Sequence, residues 1–176
     1  MILDKERTGI EKKFYDVTQE IVEQQGFVLY DMDYIAGSKT LRVFIMNSET
    51  RTAVIDDCVK IDKAFTPFME ENDWIPEEIT LEVSSPGLFR NLSTRQHFSW
   101  AMGENIQVQL QKNLGDLVDP TDLDKKVAKT KKFVAKLEKI EEESIVVQLD
   151  NDFSLRLKLE DIKKVNLEPD VNKTSR

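Results

Sequence analysis

Residues 81–92 read Leu-Glu-Val-Ser-Ser-Pro-Gly-Leu-Phe-Arg-Asn-Leu and separate two parts of the chain that differ in character. The stretch starts with alternating apolar and polar residues, a pattern typical of a half-buried strand. Pro86 then fixes φ and Gly87 permits a reverse bend, so the strand is expected to end here. Helical and strand patterns are mixed before this stretch, whereas short alternating segments predominate after it. We therefore predict a junction between two domains.

Charge is distributed unevenly on the two sides of this junction. The chain has a net charge of −8, with 9 basic and 18 acidic side chains in residues 1–83 and 16 basic and 15 acidic side chains in residues 84–176. A protein that coats nucleic acid through bulk charge needs clustered Lys and Arg, which this balance does not supply. Any anionic partner is therefore expected to meet the second half, or a local patch on the first.

Length and composition favour two small soluble domains. Of the 176 residues, 40% are hydrophobic and 33% are charged. No apolar run approaches the roughly 18 residues that a membrane-spanning helix needs. The first residues lack the basic and then apolar pattern of a secretion signal, and Cys58 is the only cysteine, so an internal disulfide cannot form. We expect a cytoplasmic protein.

Residues before the junction predict the order helix, strand, strand, helix, strand. Apolar residues recur every three or four positions in the helical segments, and β-branched and aromatic residues fill the strands. The predicted helices span 5–25 and 56–69, and the predicted strands span 27–35, 40–47 and 78–83. In the strand at 40–47, Leu41, Val43 and Ile45 are expected on one face and Arg42 and Phe44 on the other. The crossover through the second helix should make the last two strands parallel, or at least place them in one sheet, with both helices on one face. Pro67 predicts a kink or a restart in the second helix.

Residues after the junction change to a period of two. The Ser-x-x-Gln pattern at 93–96 predicts a capped short helix, which Gly103 can end. The alternating segments that follow lie at 106–110, 133–137, 145–149, 153–159 and 164–167, and Asn151-Asp152 is expected to form the turn between the segments at 145–149 and 153–159. About five short strands in so few residues predict a small closed or nearly closed barrel, because closure removes exposed strand edges. We interpret 111–131 as a mobile, charged barrel loop and 168–176 as a disordered tail.

The junction resembles the signature of the ribosome maturation factor RimP family. The string Leu-Glu-Val-Ser-Ser-Pro-Gly-Leu at 81–88 carries the resemblance, and Arg90 and Leu92 continue it. Similar residues occur in the same order elsewhere, namely Gly26, Leu29, Leu41-Arg42-Val43, Asp56-Asp57-Cys58, Thr94, Phe98, Gly103, Val108 and Leu110. The chain departs from the usual pattern at Phe89, where aspartate is common, at Asn91, where proline is common, and near Ala135, where glycine is common.

This resemblance implies a fold of class α+β. An N-terminal α/β domain of order α-β-β-α-β at 1–84 would be followed by a junction at 85–92, a small SH3/Sm-like β-barrel at 93–167 and a tail at 168–176. It also implies a non-enzymatic maturation factor that binds the immature small ribosomal subunit and assists its assembly. The implied partners are rRNA and a ribosomal protein near the decoding centre, which the barrel would contact. No cofactor is implied, and we expect a monomer.

Several residues are candidates for ribosome binding. Seven lysines lie between residues 125 and 139, against one acidic residue, Glu138. These lysines are Lys125, Lys126, Lys129, Lys131, Lys132, Lys136 and Lys139. They favour a phosphate-contacting stripe, although aspartates just upstream equally suit a solvated loop. The full candidate set is Arg42, Ser84, Ser85, Gly87, Arg90, Lys129, Lys131 and Lys132.

Each of the remaining candidates has a structural alternative. Arg42 lies on a strand, where an arginine can simply be solvated. Arg90 could recognise phosphate or carboxylate near the junction, or it could form a salt bridge that ties the domains together. Ser84 and Ser85 lack the glycine-flanked elbow of a nucleophile, so a backbone-capping role at the strand end is favoured.

Residues that could carry catalysis or bind metal are scarce. His97 is the only histidine and lies beside Phe98 and Trp100, which favours packing over catalysis. One cysteine and one histidine cannot supply the usual metal ligand sets, so we predict no catalytic, cofactor or metal site. Two alternatives to the assembly factor stay open, a general RNA-binding module and a small-molecule enzyme. The acidic balance disfavours the former, and the lack of convergent titratable groups disfavours the latter.

Overall fold

A computed structural model of the chain describes residues 1–169 except residues 2, 5, 119–123 and 150–152. The described residues form two compact units. The N-terminal unit spans 6–87, and the C-terminal unit contains the described residues of 1–5 and 88–176. The domain boundaries inferred from the sequence stay predictions. None of the described helices combines the length and the apolar character that crossing a membrane requires.

The N-terminal unit contains the predicted order of elements. They are α1 (Gly9–Gln24), β1 (Val28–Ile35), β2 (Thr40–Met46), α2 (Ile55–Glu71) and β3 (Thr80–Ser84). β1 and β2 pair antiparallel, β2 and β3 pair parallel, and the sheet order is β1-β2-β3. The predicted parallel crossover is confirmed, and it leaves β3 at one edge of the sheet.

The core of this unit lies between one face of the sheet and both helices. The buried residues of β2 on this face alternate, as predicted, with Arg42 and Phe44 on the other face. The buried core residues are Phe14 and Val22 from α1, Leu29, Met32, Leu41, Val43 and Ile45 from the sheet, and Ile61 and Phe65 from α2. The packing of these apolar side chains supplies most of the stability of such a unit.

Helix α2 begins and continues differently from the sequence expectation. Val54 is its N-cap, and the carboxylate of Asp57 accepts a hydrogen bond of 3.0 Å from the Val54 amide. Asp57 therefore caps the helix from its third position. The helix continues through Pro67 to Glu71, so the predicted restart does not occur. The hydrogen bond lost at an exposed proline costs less than giving up the packing of Phe65.

The C-terminal unit is built around a five-stranded antiparallel sheet. Its elements are α3 (Arg95–Trp100), β4 (Asn105–Leu110), α4 (Lys125–Ala128), β5 (Lys132–Ile140), β6 (Ser144–Gln148), β7 (Ser154–Lys158) and β8 (Ile162–Leu167). The strand order is β7-β6-β5-β4-β8, with β7 and β8 at the two ends. The described pairs include no ladder between these two end strands, so a closed barrel stays a prediction.

Residues 111–131 hold more structure than the loop that we predicted. Leu114–Asp116 forms a 3-10 turn, Leu114 is fully buried in the core, and α4 follows. The turn and α4 approach closely, because a Cβ added at Gly115 would lie 3.0 Å from the Cβ of Ala128. Only glycine fits this approach without displacing α4. Residues 119–123 of this segment lie outside the described residues, as do the predicted turn at 151–152 and residues 170–176 of the tail.

The predicted cap of α3 is shifted by one residue. Thr94, not Ser93, is the N-cap, and its side chain accepts a hydrogen bond of 3.1 Å from the amide of His97. The sequence contains a hydroxyl at both positions, so pattern alone could not select between them.

Gly87 provides a test of the bend after β3. Its φ is +77°, and an added Cβ would meet no atom within 4 Å. We expect Gly87→Ala to lower the free energy of unfolding by about 1 kcal/mol, because an L side chain is disfavoured in this backbone region. Urea denaturation measures the change. Gly37→Ala is the matched control, since Gly37 has equally open surroundings but no positive φ. Equal effects of the two substitutions would contradict the prediction.

Candidate nucleic-acid interface

Pairing of strands brings lysines from distant parts of the sequence to one end of the five-stranded sheet. The C-terminal end of β4 lies between the N-terminal ends of β5 and β8. Gln109 of β4 pairs with Lys132 of β5 on one side and with Lys164 of β8 on the other. Neighbouring strands are spaced by about 4.8 Å, so the backbones of Lys132 and Lys164 lie roughly 10 Å apart. All three side chains belong to the face opposite the core.

Three further lysines extend this group. The β4–β8 register shifts after Gln109 and leaves Lys163 unpaired in the ladder, so Lys163 and Lys164 are both exposed. Lys129 and Lys131 are exposed just before β5. Their segment is held in place by β4, because the amide of Leu110 donates to the carbonyl of Lys131 at 2.7 Å. We name Lys129, Lys131, Lys132, Lys163 and Lys164 the basic patch.

Charge in the basic patch is not balanced by described neighbours. None of its five lysines forms an ion pair with a described residue, whereas Lys139 pairs with Glu141 at 3.1 Å and Lys158 pairs with Glu160 at 3.5 Å. The separation of Lys132 and Lys164 is close to the Debye length of about 8 Å at physiological salt, so their fields overlap. An unpaired group of ammonium ions on a rigid sheet can bind phosphate groups of a nucleic acid.

Of the seven lysines predicted to form a stripe, only Lys129, Lys131 and Lys132 belong to the basic patch. Lys125 and Lys126 lie on α4, where the carboxylate of Asp124 accepts a hydrogen bond of 2.7 Å from the Lys126 amide. Lys136 lies on β5 beside Asn105 and Gln148, further along the sheet from the basic patch. Sequence reasoning found Lys129, Lys131 and Lys132 but missed the two lysines of β8. Only the register of β4 with β8 reveals them.

Arg42 is positioned for a role within the N-terminal unit. Its Cα partners are Asp33 of β1 and Glu82 of β3, which flank it on the two sides. The Arg42 Nε donates to the Glu82 carboxylate at 2.6 Å. Two carboxylates therefore surround this guanidinium, which favours the structural alternative over a phosphate contact. Its participation in ribosome binding stays a prediction.

Asp33, which pairs with Arg42 across β1 and β2, should make the stability of the N-terminal unit depend on pH. Partial desolvation and the nearby Asp31 carboxylate raise the pKa of Asp33, although Arg7 and Arg42 oppose the shift. A raised pKa means that the folded state holds the proton more tightly, so stability falls as the pH rises past about 3.9, the ordinary pKa of aspartate. We expect Asp33→Asn to be more stable than the unsubstituted chain at pH 7, with a difference that vanishes near pH 3. Chemical denaturation at both pH values measures it, and equal stability at pH 7 would contradict it.

The predicted junction residues fall in two places. Ser84 ends β3 and is exposed, Ser85 is half-buried, and Gly87 makes the bend. Both serines line a groove of about 460 Å³ beside the start of α2. No hydrogen bond joins either serine to a titratable side chain among the described residues. Their geometry therefore offers no activated nucleophile.

Arg90 belongs to the C-terminal unit, where the backbone around it runs beside β8. The Leu167 amide donates to the carbonyl of Arg90 at 2.9 Å, and the Leu92 amide donates to the carbonyl of Val165 at 2.9 Å. Arg90 is half-buried and is not free of interaction partners. The backbone at Arg90 and Leu92 thus forms hydrogen bonds with β8, the strand that carries Lys163 and Lys164.

His97 and Glu141, two titratable residues of the C-terminal unit, interact with neighbouring side chains of the same unit. His97 is 2% exposed, and its ring stacks on Trp100 with centroids 5.9 Å apart. Glu141 accepts hydrogen bonds from Ser144, Lys139 and Arg156 at 2.8, 3.1 and 3.2 Å. The bonds from Ser144 and Lys139 lower the pKa of Glu141. In the described part of the chain, no group of three or more His, Cys, Asp and Glu side chains is arranged to hold a metal ion.

Comparison with known families identifies most of the N-terminal unit. Residues 17–89 match a family model described as the RimP N-terminal domain. The matched region runs from the middle of α1 to the bend after β3 and contains the string at 81–88. The basic patch lies outside it, so the patch depends on the geometry of the C-terminal unit alone.

Proposed function

We propose, from the match of residues 17–89 to the RimP N-terminal domain, that this chain is a ribosome maturation factor of the RimP family, which binds the immature small ribosomal subunit and assists its assembly without catalysing a reaction. The match of residues 17–89 to the RimP N-terminal domain is the observation that carries the proposal. Binding alone suffices for such a role. A factor that prefers one arrangement of rRNA and protein over its competitors shifts the population toward that arrangement.

The basic patch is the proposed contact with rRNA. It offers five lysines without described ion-pair partners, three on strands β5 and β8 and two, Lys129 and Lys131, just before β5. Lysine binds phosphate as a point charge and reads no base sequence, so the patch would recognise the path of the rRNA backbone. Specificity for the precursor subunit would then come from the ribosomal protein that we propose as the second partner, near the decoding centre.

We also propose that the C-terminal unit is a small SH3/Sm-like barrel. The chain passes from β7 to β8, the two end strands, through only three residues, Leu159–Asp161. The four Cα–Cα steps from Lys158 to Ile162 span at most about 14 Å, whereas five flat strands place their end strands about 19 Å apart. The sheet therefore has to curve strongly, as a barrel does. The chain is further proposed to act in the cytoplasm as a monomer that needs no cofactor.

Sedimentation with purified particles tests the proposal against the alternative of a general RNA-binding module. We expect the chain to co-sediment with precursor small subunits and to bind protein-free rRNA more weakly. Five phosphate contacts predict that affinity falls roughly 100-fold to 500-fold between 50 and 200 mM salt. Equal affinity for protein-free rRNA would favour the general RNA-binding module instead. Absence of binding to precursor subunits at low salt would contradict the proposed function.

A further inference from the structure

An apolar groove in the N-terminal unit lies beside a strand edge. It opens between the start of α2 and the end of β3 and has a volume of about 460 Å³. Val83 forms one wall, and Cys58 and Val59 lie on the helix opposite. The side chains at this end of α2 are unusually exposed for apolar residues, since Ile55 is 80% and Val59 is 43% exposed. An exposed apolar cluster of this kind typically marks a binding surface.

β3 has a free edge along the same groove. Among the described residues it pairs only with β2, so the backbone N–H and C=O groups on its outer side are available. An extended segment can add to such an edge as a further strand, with backbone hydrogen bonds for affinity and alternate side chains for specificity. The apolar wall of α2 then receives every second side chain of the added segment.

Charge at the groove selects the kind of segment. Asp62 is the one charged residue among the described residues that line the groove. Glu82 lies on the opposite face of β3, directly beside any added strand, where its carboxylate also accepts from Arg42 at 2.6 Å, and Asp56 and Asp57 occupy the first turn of α2. Residues 6–87 carry 17 acidic and 8 basic side chains. A second copy of this chain would bring the same acidic surface, so like charges oppose self-pairing at this edge.

We propose that the groove binds an extended segment of a protein partner in which apolar residues alternate with lysine or arginine. The apolar side chains pack against Ile55 and Val59, and the basic side chains lie beside Glu82 on the other face. The inference rests on the proposed function and deepens it, because it assigns this surface to a basic tail of a ribosomal protein. The basic patch would bind rRNA, and the groove would add a protein contact on the N-terminal unit to the one expected at the C-terminal unit.

Peptide binding to the full-length chain tests this inference. The probes are three capped hexapeptides that alternate Lys with Val, Glu with Val, and Lys with Ser. We expect the Lys-Val peptide to bind and to slow amide hydrogen exchange at residues 80–85. The Glu-Val and Lys-Ser peptides are expected to bind at least tenfold more weakly. Equal binding of the Lys-Ser peptide would reduce the interaction to bulk charge and overturn the inference, as would protection outside β3 and the start of α2.

Variants separate this groove from other apolar surfaces. Val59→Lys is expected to lower the affinity for the Lys-Val peptide at least tenfold. Ile10→Lys is the control, because Ile10 on α1 is 38% exposed and lies outside the groove. Circular dichroism checks that both variants are folded, and Ile55→Lys replaces Val59→Lys should the latter unfold. Unchanged peptide affinity in the folded groove variant contradicts the inference, and so does dimerisation of the chain through β3 in sedimentation equilibrium. Failure here with retained binding to precursor subunits would overturn the groove assignment but leave the proposed function standing.

Discussion

Replacing Lys132 and Lys164 together by glutamate is expected to weaken binding to precursor small subunits by roughly 10-fold to 100-fold at moderate salt. The two lysines flank Gln109 on one exposed row and form no ion pair with a described residue. Each lost phosphate contact should also lower the slope of log affinity against log salt by about 0.7 to 0.9. Sedimentation at several salt concentrations measures both quantities.

Charge reversal at Lys129, Lys131 and Lys132 is likewise expected to weaken binding to precursor small subunits without unfolding the C-terminal unit.

A charge-matched control distinguishes the basic patch from general attraction. Lys12→Glu with Lys158→Glu changes the net charge equally but acts on lysines that already pair with Asp16 and Glu160. We expect little change in affinity for this control, because exposed ion pairs contribute little to stability and their lysines carry balanced charge. Equal losses in both double variants would remove the patch from the proposal.

Phe65→Ala is expected to lower the stability of the N-terminal unit by about 3 to 5 kcal/mol. Phe65 is 1% exposed and packs in the core between α2 and the sheet. Loss of the ring leaves a cavity that the surrounding helices and strands cannot fill. Since domains of this size are stable by only about 5 to 15 kcal/mol, the variant should unfold at much lower denaturant concentration.

The two tryptophans allow each unit to be observed separately. Trp74 contacts Phe14 in the N-terminal core, with ring centroids 5.0 Å apart, whereas Trp100 stacks on His97 in the C-terminal unit. In a Trp100→Phe background, fluorescence should report the early transition of Phe65→Ala. In a Trp74→Phe background, the fluorescence of Trp100 reports unfolding of the C-terminal unit. Phe65→Ala should leave this transition unchanged, because the two buried clusters share no residue. A common shift in both backgrounds would contradict separately folded domains.

Much of the fold could be predicted because local pattern and tertiary structure agree. The alternation of Leu41, Val43 and Ile45 predicted both β2 and its buried face, and the crossover predicted the parallel pairing of β3. The structure of 111–131 was underestimated, because the burial of Leu114 and the approach of Gly115 to Ala128 depend on contacts between separate segments. Local patterns contain no information on such contacts.

The candidate site was less predictable, since it depends on the register of strands far apart in sequence. Lys164 joins Lys132 only because β4 lies between β5 and β8. Arg42 meets Glu82 only through the pairing of β2 with β3. A one-residue change in either register would move these side chains to the other face. The sequence therefore identified the residue types needed for binding but not which charges are balanced.

Fractionation of a cell lysate on a density gradient, with detection of this chain in each fraction, tests the proposed function most directly. The chain is expected to migrate with small-subunit precursors at low salt and to shift to the top of the gradient as salt is raised. The Lys132→Glu, Lys164→Glu variant should leave the precursor fractions at lower salt than the unsubstituted chain. Migration apart from small-subunit particles at every salt concentration would contradict the proposed role in ribosome assembly.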